Sequence, residues 1–169
     1  MRSLTPLLIL AIGATTALAD EGAFSTGPVF ADFGPVADVG VTMPIPPGTV
    51  FRHNFDVAEP APDGEPNPTL ESAARFINMH ARAGITPDKV RVAVVVHGSA
   101  VNDVADERSS SARLVAALVD RGVRIIVCGQ SAAHYDVATG DLLPGVEMAL
   151  SAMTAHAVLQ QEGFSLNPF

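Results

Sequence analysis

A chain of 169 residues with 10 basic and 18 acidic side chains carries a formal net charge of −8, and a single cysteine stands among 14 glycines and 13 prolines. That acidity reverses the attraction on which binding to nucleic acid or anionic lipid depends, so neither partner is expected. One cysteine excludes an internal disulfide, and the length suits one domain with a hydrophobic core of its own.

Met1-Arg2 provides a positive start, Leu4 to Ile12 an apolar run, and Ala17-Leu18-Ala19 a small-x-small pattern before Asp20. Together these predict a secretory signal peptide over residues 1–19, and the run is too short for a stable membrane span. Loss of Arg2 leaves nine basic against 18 acidic residues, a net −9. The expectation is a periplasmic protein with no membrane insertion after cleavage.

Nine of the 13 prolines fall between Gly27 and Pro68. Proline removes amide donors and fixes φ, so residues 20–47 are expected to form an extended arm on the domain surface. In it Phe24, Phe30 and Phe33 are candidates for packing on the domain or on a neighbouring subunit, and a disordered tail is the alternative. An α/β domain is expected over 48–169. Its first strand is Thr49 to Val57, rich in β-branched and aromatic residues. Asn67-Pro68 then reads as an N-cap with proline at the first helical position. Leu70, Ala73, Ala74, Ile77 and Ala81 mark one helical face up to Gly84.

Thr86-Pro87-Asp88 turns the chain into Val90 to Val96, a valine run that predicts a central strand ending at His97. Ser109 to Ser111 can cap a helix carrying Leu114, Val115, Leu118 and Val119, stopped by Arg121-Gly122. Val123 to Val127 lacks polar alternation, as expected of a strand covered on both faces. Cys128 and Gly129 close it, and Gln130 to Ala133 open a short helix. Val146 to Ser151 reads as a strand followed by a helix from Met153 to Glu162, or as part of one helix from Val146 to Gln161. Phe164 to Phe169 is a terminal strand or cap. Strands alternating with helices predict a parallel sheet with helices on both faces.

The chemistry concentrates at Cys128. Ligands of open α/β sheets bind beyond the carboxyl ends of the strands, and amides at a helix start favour a thiolate. The competing reading is a small buried hydrophobe. His97, ending the adjacent strand, is the candidate to hydrogen-bond or ion-pair with the thiolate. Asn102 and Asp103 are candidates to orient it or, preferably, to cap a helix. Gly129, Gln130 and Ser131 are candidates for binding a small anion, with Ser131 equally readable as an N-cap.

Three stretches, Val92 to Gly98, Gly122 to Ala133, and Asp141-Leu142-Leu143-Pro144-Gly145 onward to Phe164, resemble the DsrE/DsrF-like family in order and spacing. The resemblance implies a flavodoxin-like fold and a homotrimer or homohexamer. It also implies, as in TusD-type sulfur-relay members, a cysteine after the third strand that carries sulfur as a persulfide, a position matched by Cys128. A sulfur-donor or acceptor protein, or a small sulfur compound, would be the partner, and no cofactor or metal is called for.

The alternative from another class is a noncatalytic small-molecule, anion-binding or assembly module with an inert Cys128. A copper or zinc site from Cys128, His97, His134, Met148 and His156 lacks any supporting spacing. Met148, Met153 and His156 read instead as helix core or surface. Gly129-Gln130-Ser131-Ala132-Ala133 lacks the second glycine of a serine-hydrolase elbow.

Overall fold

The computed structural model describes residues 23–167. The expected signal peptide lies outside them, as do residues 168–169. Two short strands, β1 (Phe24–Ser25) and β2 (Val36–Ala37), pair antiparallel, and β3 (Phe51–Val57), β4 (Val90–Val96), β5 (Arg124–Cys128), β6 (Val146–Ala149) and β7 (Ser165–Leu166) form one sheet. Its order is β6-β5-β4-β3-β7, and every neighbouring pair is parallel. Helices α1 (Pro68–Arg82), α2 (Ala112–Asp120), α3 (Gly129–His134) and α4 (Ala152–Gln161) connect or follow the strands.

The period-2 alternation of the strands divides the interior into two layers. Phe55, Val57, Val92, Val94, Val96, Ile125 and Val127 face one way, onto Leu70, Ala73, Ala74 and Ile77 of α1 and Leu114, Val115 and Leu118 of α2. Ala93, Val95 and Ile126 face the other way, onto Ala155 and Leu159 of α4. The sheet is therefore covered on both faces, the flavodoxin-like arrangement expected from the resemblance. The second layer is much the thinner.

Helix α1 starts as its sequence dictates. Asn67 accepts from the amides of Thr69 and Leu70, Pro68 takes the first position where no amide is needed, and Leu70 is fully buried. Strand Val90–Val96 has the bounds expected for it. Of the two readings of Val146 onward, the structure takes strand then helix: Ser151 breaks the run by capping α4, its hydroxyl accepting from the Thr154 amide at 3.1 Å. Ser111 departs from expectation. It precedes α2 but caps nothing there, and its Oγ accepts instead from the Asn67 amide at 2.9 Å.

Residues 27–37 lie on α1, held by the fully buried Asn78. Its Oδ1 accepts from the amides of Val29 and Phe30, and its Nδ2 donates to the carbonyls of Phe30, Phe33 and Gly34. Phe30 is buried, Phe33 packs against the core, and Phe24 is exposed. Residues 38–48 are exposed throughout.

Candidate functional site

Cys128 is the last residue of β5 and the N-cap of α3. Its Sγ accepts from the Ser131 amide at 3.5 Å, and the Ser131 hydroxyl and the amides of Ala152 and Gln130 also favour its charged form. Ala152 is the first residue of α4, so the sulfur sits at the starts of two helices, where orphan amides and the helix dipoles favour negative charge. Burial pushes the thiol up, but these donors outweigh it and hold the Cys128 pKa below its ordinary value. The residue is 6% exposed.

The surroundings of the sulfur are fixed by close backbone approach. A Cβ on Gly129 would stand 2.7 Å from the Ala149 carbonyl oxygen, so only glycine lets the β5–α3 turn lie against the end of β6. Gln130 donates from Nε2 to the Leu150 carbonyl, tying α3 to the loop before α4. Ser131 is not the N-cap that its type suggested. Its amide serves Cys128, and its Oγ accepts from the Gly98 amide at 3.0 Å, joining this turn to the end of β4. Gly98 itself has φ +57, and a Cβ there would meet the Ala58 carbonyl oxygen at 2.9 Å.

His97 follows β4 and Cys128 ends β5. Val96 pairs with Val127, so the next residues on the two strands, His97 and Cys128, share a row on the α4 side of the sheet. The partner recorded for the His97 side chain is not the thiol, however. Its Nε2 donates to Asp56 Oδ2 at 3.0 Å. The other oxygen of Asp56 accepts from His156 Nε2 at 2.7 Å, and His156 Nδ1 accepts from Asn54 Nδ2 at 2.7 Å. Burial would raise the Asp56 carboxyl, but the hydrogen bonds from His97 and His156, helped by their proximity, hold it below its ordinary value. Asn54 Oδ1 is buried and has no partner among the described residues.

Asp56 and Asn54 are not among the residues singled out from the sequence, and His156 is among them only as a metal ligand without supporting spacing. The available signal was an acid between Phe55 and Val57 at the carboxyl end of an apolar strand, where a charge has no packing role. Asn102 and Asp103 do not orient His97. Asn102 donates to the Ser99 carbonyl, and Asp103 accepts from the Ala61 amide and from Asn67 Nδ2. His156 is neither plain core nor plain surface, and Met153 is 80% exposed. Met148 accepts from the Thr139 hydroxyl, and His134 lies edge-on to Tyr135. Among the described residues no group of three or more His, Cys, Asp or Glu is placed to hold a metal ion.

Comparison with known proteins gives the context. A model of the DsrE/DsrF-like family matches residues 55–168. A solved structure of MTH1491 from Methanobacterium thermoautotrophicum, described as a protein of unknown function, is 24% identical with a TM-score of 0.52, covering 69% of this chain and 97% of that one. The ychN protein from E. coli is 15% identical with a TM-score of 0.52, over 69% of this chain and 100% of that one. Both likenesses concern the fold. No curated protein matches the chain.

Proposed function

The chain belongs to the DsrE/DsrF-like family, and from that premise we propose that it works in sulfur-compound metabolism by carrying sulfane sulfur as a persulfide on Cys128. The observation that carries this reading is the seat of Cys128 at the end of β5 and the start of α3, its Sγ accepting from the Ser131 amide at 3.5 Å, with the Ser131 hydroxyl and the Ala152 and Gln130 amides also favouring its charged form. A thiol so held ionises below its ordinary range, its thiolate is the nucleophile, and the terminal charge of its persulfide needs the same donors. Carriage requires one sulfur only, because the persulfide is itself the cargo. Sulfur would come from, or pass to, a small sulfur compound or a partner protein. Export to the periplasm and assembly as a homotrimer or homohexamer belong to the same proposal.

The test is intact mass after incubation of the mature protein with polysulfide, beside Cys128→Ser. The expected result is a reducible gain of one sulfur, about 32 mass units, in the parent only. A thiol that gains no sulfur and resists alkylation until the protein unfolds would overturn the reading. The low exposure of Cys128 favours the second reading, a noncatalytic binding or assembly module with an inert thiol, and that result would establish it.

A further inference from the structure

We propose that Asp56 and His156 are positioning residues that set His97 as the proton carrier for sulfur transfer at Cys128. This inference rests on the reading of Cys128 as a sulfur carrier. The four groups come from four elements, Asp56 from β3, His97 from the end of β4, Cys128 from the end of β5 and His156 from α4; Asp56 is bonded to both histidines, and His97 and Cys128 each follow one member of the Val96–Val127 pair. All lie on the α4 side of the sheet, the side with the thinner core.

The hydrogen bonds assign distinct roles to the two histidines. A carboxylate only accepts, so both rings must present Nε2–H to Asp56. His156 has its second nitrogen occupied as well, since Nδ1 accepts from Asn54 Nδ2. Both of its ring atoms are committed, and its place is to hold one Asp56 oxygen. No hydrogen bond occupies His97 Nδ1 among the described residues. That atom can take up and release a proton, while Asp56 fixes the ring's tautomer and orientation.

The chemistry has a use for such a group. When the Cys128 thiolate attacks the outer sulfur of a donor R–S–SH, a bond forms from Cys128 Sγ to that sulfur. The bond from R–S to it breaks, and its electron pair leaves on R–S⁻. An alkyl thiolate has a conjugate acid of pKa about 8.5 and departs slowly near neutral pH without a proton. The proton carried on the transferred sulfur passes to His97 Nδ1 and from there to the departing R–S⁻. The balance is Cys128–S⁻ plus R–S–SH giving Cys128–S–S⁻ plus R–SH. No electron leaves the sulfur pool, so no outside oxidant or reductant is needed.

Two rates on the same mature protein separate this role from a structural one. Sulfur uptake from glutathione persulfide needs a proton for its leaving group, whereas alkylation by iodoacetamide releases iodide and needs none. Asp56→Asn and His156→Leu, checked for folding by thermal melting, are compared with the parent. His156→Leu removes the donor that holds one Asp56 oxygen and provides the second variant should Asp56→Asn misfold. The expected result is that sulfur uptake falls by about tenfold or more and loses its histidine limb in the pH profile, while alkylation stays within about twofold. Equal rates of uptake in parent and variants would overturn the inference, as would a parallel fall in both rates. Failure of the carrier reading looks different: the parent itself takes up no sulfur, and the inference then falls with it.

Discussion

Two buried asparagines on opposite faces of the sheet do different work. Asn78, on α1, spends both ends of its amide on backbone groups, five hydrogen bonds in all, and clamps residues 29–34 to the helix. Asn54, on β3, makes one side-chain bond, to a titratable partner, and leaves Oδ1 without one among the described residues. A fully satisfied buried polar group specifies structure, because any rearrangement strands its partners. The under-satisfied one sits where the thin α4 layer admits polar groups in place of packing. On that face lie Asp56, its two histidine partners His97 and His156, and Cys128.

The comparison breaks most sharply at Asn78. Asn78→Ala leaves five backbone groups without their partner under a helix, and the expected loss is about 3 kcal/mol or more of unfolding free energy, read by urea denaturation. The Cys128 alkylation rate below the melting temperature should not move; a large change there would mean that the two faces are coupled.

Next comes Gly129→Ala, whose methyl would press on the Ala149 carbonyl. Parting the ends of β5 and β6 should cost about 1–3 kcal/mol. It should also withdraw the Ala152 amide from the sulfur, so that the thiolate appears at higher pH in the alkylation profile. Unchanged stability and an unchanged profile together would show that the close approach is unimportant.

Ser131→Ala removes one donor from the sulfur while keeping the helix. Because the Ser131 hydroxyl is the first of the groups that lower the Cys128 pKa, its loss should raise that pKa. Alkylation at neutral pH should slow by about tenfold, the lower end of the worth of one hydrogen bond to a charged acceptor. Melting should change little, although the bond from the Gly98 amide is lost as well.

The smallest effect concerns acid. The folded pKa of Asp56 lies below its ordinary value of 3.8, so its contribution to stability is complete above about pH 4 and is lost as pH falls through the folded value. Melting temperatures of the parent and Asp56→Asn should differ at neutral pH and converge at the acid end. A difference that persists in acid would place the effect of the substitution outside the carboxylate. The group is partly exposed, which keeps the difference small.

The elements themselves were legible in the chain. Asn67-Pro68 announced α1, the valine run β4, and Gly122 the entry to β5, because caps, proline and β-branched runs act within a few residues. Cys128 at the strand–helix junction was legible for the same reason. Ser111 and Ser131 misled as caps because a serine's local preference yields when a distant amide, that of Asn67 or Gly98, needs an acceptor.

What the sequence by itself determined is the order of strands and helices, the doubly covered sheet and the position of the one thiol. Only the tertiary structure decided what surrounds that thiol. Asp56 lies 41 residues from His97 and 100 from His156 in the chain, and no local signal spans such distances. They meet because parallel pairing fixes the register of β3, β4 and β5, alternation then sends Asp56, His97 and Cys128 to one face, and α4 crosses that face with His156 toward Asp56.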